Sequence, residues 1–308
     1  MNSSSAPVMT GQAWLMLLVL AALWGGSFFF VGVAVMEVPP LTIAAARVCI
    51  AAAVLLLVLH FAGLKLPRQR EVWQAFVIMG LFNNAIPFSL IFWGQSQIPS
   101  GLASILNATT PISTVLVAHA LTTDEKLTPG RIAGVLVGLG GVVVMIGPDL
   151  LSGLGRNVLA QAACLLATLS YAFGAVYGRR FRRLGVAPMQ VAGGQLIASS
   201  AILLPVALLA DRSWQLALPS GPAIGAIVAL AVVSTALAYV IYFRVMAVAG
   251  SNVNLVTLLV PVSAILLGVL VLDEVLAPRH LFGMAAIALG LLAIDGRLFR
   301  LRRRQGRR

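Results

Sequence analysis

Asp124-Glu125-Lys126-Leu127-Thr128-Pro129 returns 149 residues later as Asp273-Glu274-Val275-Leu276-Ala277-Pro278. Each copy follows an apolar stretch with a central proline, Pro111 in one and Pro261 in the other. Each precedes an apolar stretch with glycines at matching places, Gly134 with Gly283 and Gly141 with Gly290. The prolines lie 150 apart and the glycines 149, so one single-residue deletion relates the two halves. Trp24 with Tyr171, Pro40 with Pro188, Arg47 with Gln195 and Phe92-Trp93 with Tyr242-Phe243 align at neighbouring offsets. The chain is an internal duplication, and in a very apolar chain that predicts a transporter of two similar halves with its substrate site between them.

Of the 308 residues, 60% are hydrophobic and only 10% charged, with a mean hydropathy of +1.01. Soluble domains carry about a quarter charged residues. A helix crosses the roughly 30 Å hydrocarbon layer with about 20 apolar residues, because it satisfies its own backbone where there is no water. Ten such stretches are present, at 12–35, 40–61, 72–93, 98–120, 130–149, 157–178, 189–210, 221–243, 250–272 and 279–296. The first has no Lys or Arg before it and is long enough to span, so it is expected to be a retained helix rather than a signal peptide. Cys49 and Cys164 both fall inside predicted helices, as small packing residues rather than a disulfide or a zinc site.

The net charge of +12 follows topology and does not point to nucleic acid. With the N-terminus in the cytoplasm, the inside loops collect Lys65, Arg68, Arg70, Lys126, Arg131, Arg179, Arg180, Arg182, Arg183 and Arg244, and the tail from Arg297 onward adds more arginines. Outside remain Arg156, Arg212 and Arg279. This bias predicts both termini in the cytoplasm, with the tail against anionic headgroups. Five helices per half is an odd number, so the second half starts from the opposite side. The expected architecture is an all-α integral membrane protein of ten transmembrane helices in two inverted five-helix repeats, residues 1–150 and 151–296, with a basic cytoplasmic tail at 297–308. Each Asp-Glu copy then lies at a helix end near the membrane surface, capping and joining helices four to five and nine to ten.

Leu23-Trp24-Gly25-Gly26-Ser27, the arginine of helix two at Arg47, Ala103-Ser104 ahead of Pro111, and the repeated Asp-Glu-x-Leu-x-Pro together resemble the drug/metabolite transporter superfamily. More narrowly they resemble its EamA-type ten-helix members, which include bacterial amino-acid and metabolite exporters. The likeness runs over roughly residues 14–296 and speaks for the fold more than for a substrate. It implies a cavity formed mainly by helices one, three, four, six, eight and nine, residence in a bacterial inner membrane, and export.

Polar side chains inside a bilayer are costly, so they are candidate site residues. Helix three offers Asn83 and Asn84 near Pro87; helix four offers Asn107, Thr109 and Thr110 beside Pro111; helix nine offers Asn252, Asn254 and Thr257 before Pro261. The alternative for each is a hydrogen bond across a helix interface. Among aromatic residues, Trp24 and Tyr171 occupy matching mid-helix places, and Phe28 and Tyr239 join them as a cavity wall, with Phe88, Phe92 and Tyr242 on the same helices. Aromatic walls with neutral amides suit a neutral or zwitterionic metabolite. Arg47 lies about 10 Å along its helix, where it either grips a substrate carboxylate or serves the structure. Glycines spaced four apart, Gly130, Gly134 and Gly138, Gly174 and Gly178, and Gly221 and Gly225, are expected to let helices approach within one subunit.

No Asp or Glu falls mid-helix, where proton-driven carriers keep a relay; Asp295 and His119 lie near inner ends. No His-Glu-x-x-His or Gly-x-Gly-Asp run supports an intramembrane protease, and His60, His119 and His280 are scattered. The expectation is a non-enzyme without cofactor or metal, a monomer or weak homodimer, exporting small metabolites, amino acids first, by alternating access. The alternative is a multidrug, nucleoside or sugar carrier of the same superfamily; a quaternary-ammonium extruder would want a carboxylate in its cavity.

Overall fold

The computed structural model describes residues 11–123, 128–146, 156–249, 253 and 256–294. Asp124 to Lys126, Asn252, Asn254, Asp295 and the tail lie outside the described residues. The described chain is helical, with ten spans that we number α1 to α10. They are α1 Gly11–Ala34, α2 Pro40–Phe61, α3 Arg70–Gln95, α4 Ser100–Leu121, α5 Pro129–Ile146, α6 Arg156–Gly178, α7 Pro188–Asp211, α8 Gly221–Ala249, α9 Val256–Val271 and α10 Pro278–Ile294. Seven are long and apolar enough to cross a bilayer on those criteria alone. Leu136, Leu209, Leu270 and Phe282 stand between 65% and 75% exposed; apolar surface on this scale is lipid-facing.

Packing repeats with the sequence. α5 lies against α10 and α2 against α7, while α1 packs on α9 and α8 as α6 packs on α4 and α3. Exchanging the halves turns this pattern into itself. At the α5–α10 crossing the matched glycines meet: a Cβ on Gly141 would lie 2.7 Å from the Gly283 carbonyl, and one on Gly290 would lie 2.5 Å from that of Gly134. Ser263 donates to the Ala21 carbonyl at 2.8 Å, joining α9 to α1. Its counterpart Ser113 bonds Thr168 at 2.7 Å, joining α4 to α6. Cys164 is buried and free, pressed toward Gly94 as a packing residue. Gly221 and Gly225, by contrast, meet nothing within 4 Å, so the close approach expected of them within the subunit is absent.

Three helices are irregular at mid-span. α3 carries a π-turn at Leu81–Ala85 and α8 one at Val232–Leu237. In α3 the cause is Pro87, which lacks an N–H and displaces the carbonyl of residue 83. In α8 the Thr235 hydroxyl reaches five residues back to the Leu230 carbonyl at 2.8 Å. α4 breaks between Asn107 and Thr110, where Thr109 and Thr110 donate to the Leu106 and Asn107 carbonyls at 2.7 and 2.6 Å. The Thr110 hydroxyl thereby takes up the Asn107 carbonyl, four residues before Pro111, that the missing proline N–H leaves free. Pro261 sits inside an unbroken α9, so the two matched prolines do not bend their helices alike.

At one end of the bundle three carboxylates cross between halves to the N-terminus of a helix. Asp211 accepts from the backbone N–H and the hydroxyl of Thr42, both at 2.8 Å, at the start of α2. Glu37 accepts from the N–H and hydroxyl of Ser220, at 2.7 and 2.6 Å, at the start of α8. Glu274 accepts from the N–H groups of Ser100 and Gly101, at 2.6 and 3.0 Å, at the start of α4. Each supplies the negative charge that the orphan donors of a helix start favour. For the second Asp-Glu copy this corrects the expected role: Glu274 reaches across to α4 rather than joining α9 to α10. Asp273 takes φ 53° and the Glu274 N–H bonds the Gly268 carbonyl. This left-handed stop turns the Glu274 side chain back toward α4. The opposite end is tied by an exposed Arg180–Glu71 pair at 2.8 Å, which borders a cleft of about 740 Å³ lined by Leu121, Tyr177, Arg179 and Arg183.

Candidate functional site

The two π-turns position the central polar residues. A π-turn widens the helix by one residue and turns side chains out of the regular helical register. In α3 it presents Asn83 and Asn84 to α7: Asn83 Nδ2 donates to Gln195 Oε1 at 3.1 Å, and Asn84 Nδ2 donates to Ser199 Oγ at 2.9 Å. Gln195 Nε2 in turn donates to the Tyr239 hydroxyl at 3.2 Å, so α3, α7 and α8 share one network. In α8 the π-turn presents Thr235 to α2, where its hydroxyl accepts from Arg47 Nε at 2.9 Å. Arg47 and Gln195 are the matched residues of the two halves, and each contacts the π-turn of the other half.

Arg47 is 7% exposed. Its guanidinium carbon lies 3.9 Å from the Phe88 ring centroid and 5.7 Å from that of Phe92, two rings stacked 5.9 Å apart. The phenols of Tyr171 and Tyr239 lie within electrostatic range of it. No carboxylate among the described residues pairs with Arg47, and only Nε finds a hydrogen-bond acceptor there. Removing a guanidinium from water costs several kcal/mol, whereas a cation–π contact returns about 2 kcal/mol when desolvated. The balance leaves a buried cation short of an anion.

Further polar atoms in the three irregular helices lack partners. Asn84 Oδ1 and Ser234 Oγ, which occupy corresponding places in the two π-turns, are both buried without a hydrogen bond, as is Asn107 Oδ1 at the break in α4. Such orphans call for an explanation because buried polar groups are nearly always satisfied. Beside this polar centre runs an aromatic series: Trp24 to Tyr242 at 5.5 Å, Tyr242 to Phe243 at 5.3 Å and Phe243 to Tyr239 at 6.2 Å between centroids.

The sequence-predicted residues therefore divide. Asn83, Asn84 and Tyr239 share a hydrogen-bonded network through Gln195 and Ser199, Tyr171 and Tyr239 lie near Arg47, and Trp24 enters the aromatic series. Phe28 is 5% exposed and belongs to the apolar core, and its carbonyl accepts from Gln95 at 2.9 Å. Asn107 stands apart from the network, and Asn254 lies outside the described residues. Gln195, Ser199, Ser234 and Thr235 went unnoticed as site residues. The repeat pointed to two of them, since Gln195 matches Arg47 and Ser234 matches Asn84.

The sequence pattern of the EamA-like transporter family matches residues 12–147 and again 158–294. The chain belongs to the EamA-like transporter family. It is 24% identical over 275 residues to the uncharacterized transporter YoaV of Bacillus subtilis, covering 87% of this chain and 91% of YoaV. It is 27% identical to protein PecM of Dickeya dadantii, covering 88% of each. To the uncharacterized inner membrane transporter YedA of Escherichia coli it is 29% identical, over 66% of this chain and 64% of YedA. A solved crystal structure superposes with a TM-score of 0.66 at 24% identity, over 92% of this chain and 97% of the other, and so shares the fold. As an EamA-like protein the chain is a multi-pass membrane transporter built on two repeats, and YoaV and YedA are both named as transporters.

Proposed function

We propose that this EamA-like protein exports small neutral or zwitterionic organic metabolites, amino acids foremost, by alternating access around the centre defined by the two π-turns. The observation that carries the reading is the juxtaposition of neutral amides and hydroxyls, Asn83, Asn84, Gln195 and Thr235, with the aromatic series from Trp24 to Tyr239. Apolar walls with a few placed polar groups are how proteins hold small organic ligands. A cationic drug would want a carboxylate, and the three described end clamps occupy Glu37, Asp211 and Glu274 at helix starts. The protein resides in a bacterial inner membrane with both termini in the cytoplasm, as the distribution of Lys and Arg supports. Its two halves are residues 1–150 and 151–296, and it works as a monomer or weak homodimer.

The test is efflux from liposomes loaded with labelled amino acids, nucleosides, sugars and cationic dyes. Efflux of amino acids above protein-free vesicles is expected, and it should fall in W24A and N83A. Absence of amino-acid transport in purified, monodisperse protein would sink the substrate assignment.

A further inference from the structure

The centre of the bundle holds a cation that no anion among the described residues pairs with. Arg47 spends Nε on Thr235 and one guanidinium face on Phe88, which fixes the plane of the group. Its two terminal nitrogens have no acceptor among the described residues. A guanidinium held in this way presents a fork that matches a carboxylate bidentately. A purely structural arginine would be expected to spend its terminal donors on carbonyls or an acid. The matched position of the other half carries the neutral Gln195, both of whose amide atoms are occupied, by Asn83 and Tyr239. The duplication has thus been made unequal at one charged position.

We infer that Arg47 reads the carboxylate of the transported molecule. The substrate class narrows to monocarboxylates, zwitterionic amino acids among them, and excludes their amides, esters and decarboxylated amines. This rests on the proposed transport of amino acids, and it adds which end of the molecule is recognised and by what. Arg47 also joins α2 to the α8 π-turn, so a bound carboxylate is sensed where the two halves meet.

The experiment uses the full-length protein in liposomes and compares uptake of labelled phenylalanine with that of labelled phenylalaninamide, in wild type, R47K and R47Q. Wild type is expected to prefer the amino acid by about tenfold or more, the value of a charge-assisted hydrogen bond. R47Q is expected to bring that ratio toward one, and R47K to keep part of it with a raised KM. A structural arginine would lower both substrates together and leave the ratio intact, which overturns the inference. A wild-type ratio near one overturns it as well, whether or not the variants fold. If wild type carries other carboxylates but no amino acid, and R47Q abolishes their advantage over the matching amides, the carboxylate inference stands and the amino-acid assignment falls. Transport of no carboxylate at all refutes both.

Discussion

The carboxylate of Glu274 accepts the backbone N–H groups of both Ser100 and Gly101, at 2.6 and 3.0 Å, so the second half of the chain caps a helix of the first. Removing this carboxylate leaves the first donors of α4 without their partner. E274A is expected to lower stability by about 1 to 2 kcal/mol, the scale of a lost N-terminal cap. It should appear as a lower apparent melting temperature in detergent. E274Q, which keeps an acceptor oxygen but loses the charge, should fall between. An unchanged melting temperature in E274A would mean that water replaces the cap at no cost.

Gln195 ties Asn83 to Tyr239, and its loss should affect transport more than folding. Single interhelical hydrogen bonds in membrane proteins average about 0.6 kcal/mol. Q195A should therefore accumulate and remain monodisperse while its transport rate drops about tenfold through loss of geometry. Full activity in Q195A would remove this network from the transport site.

The Glu37 carboxyl is held below its ordinary value of 4.5 by the hydroxyl and then the backbone N–H of Ser220, with burial a weaker opposing effect. A carboxyl whose folded value is depressed stabilises the protein above its unfolded value, and that contribution is lost as pH falls through the folded one. E37Q should be less stable than wild type at pH 7, and the difference should close below pH 4.5. Thermal scans of both proteins across pH 3 to 7 check this; a pH-independent difference would exclude the charged clamp.

A Cβ on Gly141 or Gly290 would lie 2.7 or 2.5 Å from the backbone of the facing helix, too close to fit without moving a helix. G141L should separate α5 from α10 and leave little folded protein in the membrane. G225L, at a glycine with open space around it, should accumulate normally. Equal yields of the two would show that the α5–α10 crossing has more slack than its geometry indicates.

On a C49A/C164A background, cysteines at Thr123 and Val275 should label with an impermeant reagent from opposite sides of the membrane. Labelling from one side only would refute the inverted arrangement.

Helix number, the duplication and its pairs of matched residues were legible because apolar length and repeat offset are properties of the chain alone. Contacts between residues far apart were not. Nothing in the turn at Asp273-Glu274 announces that its carboxylate meets Ser100. The matched prolines act differently for a local reason: α4 has Thr110 to take the Asn107 carbonyl that Pro111 leaves free, whereas α9 has Val260 at the corresponding place and stays continuous. Asn83 and Asn84 were found by cost, as amides inside a bilayer. Phe28 was named as an aromatic on a cavity helix, without the matched place that Trp24 and Tyr171 share, and only the packing separates a core ring from one in the aromatic series. Gln195 escaped because a lone glutamine reads as helix glue until its partners are known.

The α5–α10 crossing carries a further consequence. Gly141 lies on Gly283 as Gly290 lies on Gly134, so each helix offers the other the same pair of glycines in reverse order. A single five-helix chain bearing one such pair could form this contact with its own copy, provided that the copy was inserted upside down. The contact is isologous in the sense used for two-fold dimers, although both partners now lie on one polypeptide. Fusion then removes the need for a chain that inserts both ways, and it frees each copy to change alone. Arg47 matched in the other half by a neutral Gln195 is a change of that kind, open to a fused pair and closed to a dimer of identical chains.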